Sequence, residues 1–166
     1  MSTSFGIHLL LNDKVPTSLT DSEFVDMYDR LRLRVHCTLR NADRTVIMIY
    51  KSTLSAPIAC LEFGAGHALG SIKLTGKDPV HMNDFLSRVS RSSRVRRFIA
   101  SDGQTYTWTQ ESKDSEWEAS EIAIHALAHP NVQTSAMLAV DEGYTQITGE
   151  LVATLLIMRH IVKYNL

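Results

Sequence analysis

The stretch Gly149–Leu166, GELVATLLIMRHIVKYNL, decides how the rest of the chain reads. Eight uncharged residues run without a break from Leu151 to Met158, and Ile161 and Val162 extend the run past Arg159 and His160. On a helix, Leu151, Val152, Leu155, Leu156, Ile157, Met158, Ile161 and Val162 cover most of the circumference. A surface helix keeps a polar face, so one that is apolar nearly all round is enclosed. A bilayer span needs about 20 apolar residues, and Arg159 interrupts this run too early. The expectation is therefore a helix surrounded by protein. Thr148 is its expected N-cap, Glu150 suits the positive first turn, and Arg159 and Lys163 suit the negative end.

What surrounds it must come from the preceding residues, and these read mostly as strands. Arg30–Leu39 (RLRLRVHCTL) alternates, with Leu31, Leu33, Val35 and Cys37 on one side and Arg32, Arg34, His36 and Thr38 on the other. Phe5–Leu11, Arg44–Lys51, Pro57–Phe63 and Ala68–Leu74 are further candidates. Arg94–Ala100 and Gln104–Gln110 flank Asp102-Gly103, the strongest hairpin signal in the chain. EWEASEIAIHALAH and SAMLAVDE supply two more expected strands. Short strands at such spacing indicate a barrel or sandwich. One stretch disagrees: Thr20 and Glu23 form a capping box, and Phe24, Met27, Tyr28 and Leu31 follow helical spacing, which predicts a short helix at about 21–29.

The totals set outer limits. The chain has 166 residues, which suits one domain, 1–166, with a sizeable core. A formal net charge of -1 gives no overall steering toward nucleic acid or membrane, so an electrostatic partner has to meet a local patch. Cys37 and Cys60 form no CxxC and are expected as reduced core thiols. The N-terminal MSTSFGIHLLLNDK lacks the basic start and apolar run of a secretory signal, so a cytoplasmic location is expected.

The order of these pieces resembles a known pattern. ADRTVIMIYKSTLSAPIACLEF is followed by RRFIASDGQTYTWTQ, then SEWEAS, then the apolar C-terminal helix. This is similar to an uncharacterised family of small fungal proteins in the tubby-like superfamily. That family shows R-x-F-x-x-x-D-G-x-x-Y-x-W, matched by Arg96 or Arg97 with Phe98, Asp102, Gly103, Tyr106 and Trp108. The resemblance covers roughly 26–163 and implies an all-β fold: a closed antiparallel barrel around a central hydrophobic C-terminal α-helix. It also implies a binding module for phosphoinositides or other anionic lipid headgroups, peripheral to membranes. The basic pocket through which members of the wider superfamily bind phosphoinositides has no residues that align onto this chain, so none are carried over.

Three groups of residues have the right chemistry for a site. Arg88, Arg91, Arg94, Arg96 and Arg97 stand together with no acid between Phe85 and Ser101. The planar guanidinium suits phosphate, which makes them an anion-binding candidate. The alternative is pairing within the fold: a two-residue Asp-Gly turn sets Arg94 opposite Glu111 and Arg97 over Trp108. Ser90, Ser92 and Ser93 among these arginines also read as a basophilic kinase site. Glu121, His125 and His129, spaced by four, are a weak metal candidate that works only on a helix, because on a strand they spread over about 26 Å. Tyr106, Trp108 and Trp117 could stack bases in a nucleic-acid binder or pack as core. With near-neutral charge, no nucleic-acid partner and no cofactor are expected. A pocket at the barrel mouth, as in a small-ligand carrier or an enzyme, is the alternative to lipid binding, and a protein-interaction module is a third reading. His36 and Cys37 are adjacent and point to opposite strand faces, so they are badly placed as a base–nucleophile pair.

Overall fold

The computed structural model describes residues 9–15, 18–52, 55–92, 94–110, 117–120, 124–128, 136–140 and 142–166. The chain folds as β1 (Leu9–Asp13), β2 (Ser22–Asp26), β3 (Arg32–Arg40), β4 (Arg44–Lys51), β5 (Ala59–Gly64), β6 (Ser71–Leu74) and β7 (Val80–His81). A four-residue helix α1 (Met82–Phe85) follows, then β8 (Ser87–Arg88), β9 (Val95–Ile99), β10 (Thr105–Thr109), β11 (Trp117–Ser120), β12 (Ile124–Ala128) and β13 (Ala136–Val140). The last element is α2 (Thr148–Tyr164).

The strands form one antiparallel sheet, ordered β7-β6-β5-β4-β3-β2-β1-β13-β12-β11-β10-β9-β8. Apart from β7 and β8, sequence neighbours pair, and the junction between the two halves is β1 with β13, from Leu9↔Val140 to Asp13↔Ala136. The sheet therefore ends at β7 and β8, which among the described residues do not pair with each other. Only α1 separates these two strands in sequence, and Met82 N–H in α1 donates to Gly70 O at 2.8 Å.

Alternation does what it should. In β3, Leu33 and Val35 are buried while Arg32, Arg34 and His36 are exposed. In β5, Ala59, Leu61 and Phe63 face the core. Cys37 and Cys60 are not core thiols: both are free and half-buried, and burial with Glu62 nearby pushes the Cys60 thiol up.

The α2 helix lies against this sheet with every residue from Leu151 to Met158 buried. Its 17 residues span about 25 Å. Strands from both halves of the sheet reach it. Asp13 of β1 takes a 2.7 Å ion pair from Arg159, with both groups largely out of solvent. Phe63 of β5 stacks on His160 at 3.9 Å. Trp108 of β10 donates its indole N–H to Thr154 Oγ1 at 2.8 Å. Those contacts come from strands far apart in the sheet order, so the sheet wraps the helix. The helix needs no polar face over Leu151–Met158, where every side chain is buried; its partly exposed residues lie toward the two ends, among them Gly149, Glu150, Arg159 and Val162. Thr148 is not the N-cap: it is the first helical residue, its hydroxyl donates to Thr145 O at 2.7 Å, and Ile147 occupies the cap without a side-chain bond. At the other end Asn165, in the left-handed region with φ 54°, closes the helix through its N–H to Ile161 O.

The stretch predicted as a helix at 21–29 is β2 and a turn. Ser22, Phe24 and Asp26 are buried and alternate with half-buried Glu23 and Val25. Met27 and Tyr28, which helical spacing placed on the core face, are 61% and 67% exposed. The deciding residue is Asp26. Its carboxylate accepts from Leu10 N, Tyr28 N and Arg30 N and takes two guanidinium bonds from Arg30, at 2.7 and 3.0 Å. A β-turn with Asp29 in the left-handed region satisfies all of these at once, and ladders on both sides outweigh a capping box worth about 1 kcal/mol.

Two more expectations need correction. EWEASEIAIHALAH is not one strand; β11 and β12 pair antiparallel, Trp117↔Ala126. The Asp102-Gly103 hairpin has a three-residue loop, since Ala100 N–H bonds Gln104 O and Gly103 N–H bonds Ala100 O. Gly103 at φ 79° supplies the left-handed residue such a loop requires.

Candidate functional site

That one-residue change in loop length redistributes the arginines. The register becomes Trp108↔Arg96 and Thr107↔Arg97, so Arg96, not Arg97, shares the inner face with Trp108. Arg96 is fully buried. Its Nη1 donates to Asn83 Oδ1 at 2.8 Å and to Leu86 O at 3.0 Å, fastening β9 to α1 and β8. No carboxylate among the described residues pairs with it, and burial, with Arg88 nearby, pushes its guanidinium down. Arg97 is exposed opposite Thr107 and makes no cation–π contact with Trp108. Arg88 and Arg91 are exposed and Arg94 is half-buried. Arg94 has Gln110 as its backbone partner, while Glu111 lies outside the described residues. The five arginines are thus split between core and surface.

The rest of the hairpin motif is also spent on packing. Tyr106 and Trp108 are completely buried. The Tyr106 hydroxyl donates to Asp102 Oδ2, and burial together with that carboxylate holds the phenol well above its ordinary range. Ser101 N–H reaches Glu150 Oε2 at 3.0 Å, so the hairpin tip docks on the first turn of α2. Tyr106 and Trp108 are therefore core residues, and no base can stack on them. The Trp117 side chain lies outside the described residues, as do Glu121, His129 and Ser93. His125 falls in β12 opposite Glu118, so its backbone is not the helix that a shared ion would need. Among the described residues no group of three or more His, Cys, Asp or Glu could hold a metal. Ser90 and Ser92 are exposed.

Two concavities open at opposite ends of α2. One, of about 440 Å³, lies by Thr148, Gly149 and Glu150. The other, of about 550 Å³, lies by His160, Lys163 and Tyr164. Fourteen residues of helix, about 21 Å, separate Gly149 from Lys163. None of the five arginines lines either one.

The pocket at the C-terminal end is cationic. Arg40, at the end of β3, and Lys163, in the last turn of α2, are exposed on its wall with His67 and His160 beside them. No carboxylate is among the described residues that line it. Neither Arg40 nor Lys163 has an ion-pair partner among the described residues; the nearby Arg44 has one in Glu62, at 3.4 Å. The histidines are held by packing. The tight corner after β5, with Gly66 at φ 63° and His67 at φ 64°, sets the His67 ring flat on Tyr164 at 3.8 Å. His160 Nε2 lies 2.8 Å from His67 O. A carbonyl only accepts, so Nε2 carries the proton. Burial pushes the His160 imidazole down, against the His67 carbonyl bond, which favours its charged form. Gly70 fixes the same corner, because a Cβ there would lie 2.1 Å from Glu62 O.

In the sequence His67 is a loop histidine without an evident partner, His160 interrupts the apolar run and Lys163 suits the negative end of the helix; neither they nor Arg40 stand out as site residues. The spacing of His160 and Lys163 by three, on the one polar end of an apolar helix, is the signal that was there.

A family model matches residues 16–163. The chain belongs to DUF6593, a family of unknown function. Membership in DUF6593 assigns no ligand, so the chemistry rests on the pockets themselves. No curated protein matches the chain, and no solved structure does. Among the described residues no helix is long and apolar enough to cross a membrane.

Proposed function

We propose that this protein is a non-enzymatic binding module that takes a phosphorylated headgroup in the pocket at the C-terminal end of α2. The observation that supports it is the charge of that pocket: Arg40 and Lys163 have no ion-pair partner among the described residues, Lys163 lying over the Tyr164 ring at 5.5 Å, and no carboxylate is among the described lining residues. Arg40 offers a planar fork and Lys163 a point charge, the two modes by which proteins hold phosphate. Asn41, Thr45 and Ser18 add neutral polar groups to the wall. The end of a helix carries about half a negative charge, which two full positive charges outweigh. The last turn also uses its Ile161 carbonyl internally, accepting from Asn165 and Leu166.

The likeness to the tubby-like superfamily agrees with this reading and favours a phosphoinositide, met at the cytoplasmic face of a membrane. It also favours treating the sheet as a barrel whose remaining gap, between β7 and β8, is bridged by α1 and the Arg96 bonds. A catalytic reading has less support: no hydroxyl or thiol bonds His67 or His160 among the described residues.

The test uses soluble inositol trisphosphate in calorimetry at low salt, and flotation of vesicles with and without phosphoinositide. Binding that weakens with salt, and at least tenfold with Arg40→Ala plus Lys163→Ala, is the expected result. Arg88→Ala plus Arg97→Ala should leave it unchanged. A wild-type protein that binds neither probe refutes the function. Binding lost only with the Arg88 and Arg97 changes refutes the site.

A further inference from the structure

We propose a second and independent ligand site in the cleft at the N-terminal end of α2, where a single-chain apolar carboxylic acid binds. The wall is built from Leu31 and Leu33 of the β2–β3 region, Ile58 before β5, and Leu74 at the end of β6. Leu31, Ile58 and Leu74 pack on the core yet remain only partly buried, so apolar surface is left facing the cleft. The volume, about 440 Å³, is within the range of small-molecule sites.

Charge selects the head of the ligand. Lys51 and Lys77 stand on the rim, exposed and without an acidic partner among the described residues. The one acid among the described lining residues, Glu150, is turned to the Ser101 N–H, at 3.0 and 3.3 Å from its two oxygens. The rim is therefore net positive beside an apolar wall. A carboxylate on an alkyl chain satisfies both features, with the lysine stems covering part of the chain. A bare phosphate would leave the wall uncovered, and a neutral alkane would leave the ammonium groups unused. The site does not depend on the cationic pocket at the other end of the helix, which shares none of its residues.

The probes are hexanoate, octanoate, decanoate and decanol, each below its aggregation concentration, followed by calorimetry and by methyl NMR of the wild-type protein. Saturable one-to-one binding is expected, tightening about three- to fourfold per added methylene until the cleft is filled. Shifts should centre on the methyls of Leu31, Ile58 and Leu74. Lys51→Met plus Lys77→Met, which remove the charges and keep the stems, should weaken decanoate about tenfold and leave decanol unchanged. Ala56→Trp, at an exposed lining position, should block both. Absence of saturable decanoate binding, shifts centred on the other pocket, or binding indifferent to Ala56→Trp each overturns the proposal. The wild-type shifts decide it even if a variant fails to fold.

Discussion

Replacing Thr154 by Val asks whether α2 is held inside the sheet as described. The two side chains have nearly the same shape, so the change removes one hydroxyl. That hydroxyl lies fully buried in the middle of α2. It accepts from Trp108 Nε1 at 2.8 Å and donates back to Glu150 O at 2.8 Å. Glu150 O keeps its helical backbone partner when the hydroxyl goes. The indole N–H of Trp108 does not: it sits at zero exposure with nothing else to bond. Orphaning a buried donor costs about 1–3 kcal/mol. At about 2–4 °C per kcal/mol for a chain of this size, the melting temperature should fall by roughly 2–12 °C. The control is Trp108→Phe, which removes the donor and itself costs a few kcal/mol as a cavity. In that background Thr154→Val should be nearly neutral, giving a coupling of about 1–3 kcal/mol in a double-mutant cycle. Calorimetry or circular dichroism reads all four proteins. Additive effects would mean that Trp108 and Thr154 do not meet, and the reading of a helix wrapped by the sheet would fail with them.

Asp26 and Arg96 provide two further tests. The Arg30 guanidinium and the backbone N–H groups of Leu10 and Arg30 hold the Asp26 carboxyl down at about 2, against an ordinary 3.8. A folded value below the unfolded one stabilises above pH 4, and this stabilisation is lost as pH falls from about 4 through 2. It amounts to about 2 kcal/mol. Urea unfolding at pH 7, 4 and 2 should show Asp26→Asn less stable at pH 7 and flatter over that acid window; equal slopes would refute the assignment. Arg96→Ala should cost about 2–4 kcal/mol, because it opens a cavity and strips Leu86 O of a donor. Arg97→Ala, one residue along, should stay within about 0.5 kcal/mol. Thermal melts of the pair check the register directly, and reversed magnitudes would restore the two-residue turn.

The sequence by itself determined the layout: an apolar helix at the C-terminus and a series of short strands before it. Those conclusions rest on periodicity, which burial imposes on each element separately. Leu151 to Met158 leave no face for water, and β3 and β4 alternate or run apolar as half-buried strands must. What only the tertiary structure decided depends on contacts between elements. Local signals at 21–29 favour a helix by about one cap, whereas two ladders and the Asp26 network act only once β1 and β3 are in place. A single extra residue in the Asp102-Gly103 loop exchanged the faces of Arg96 and Arg97, because side chains on a strand alternate with period two. The arginines that cluster in sequence were divided by it. The cationic pocket was assembled instead from Arg40 and His67, distant in the chain, and from His160 and Lys163 of α2, which meet because strands of the sheet pack against the end of the helix.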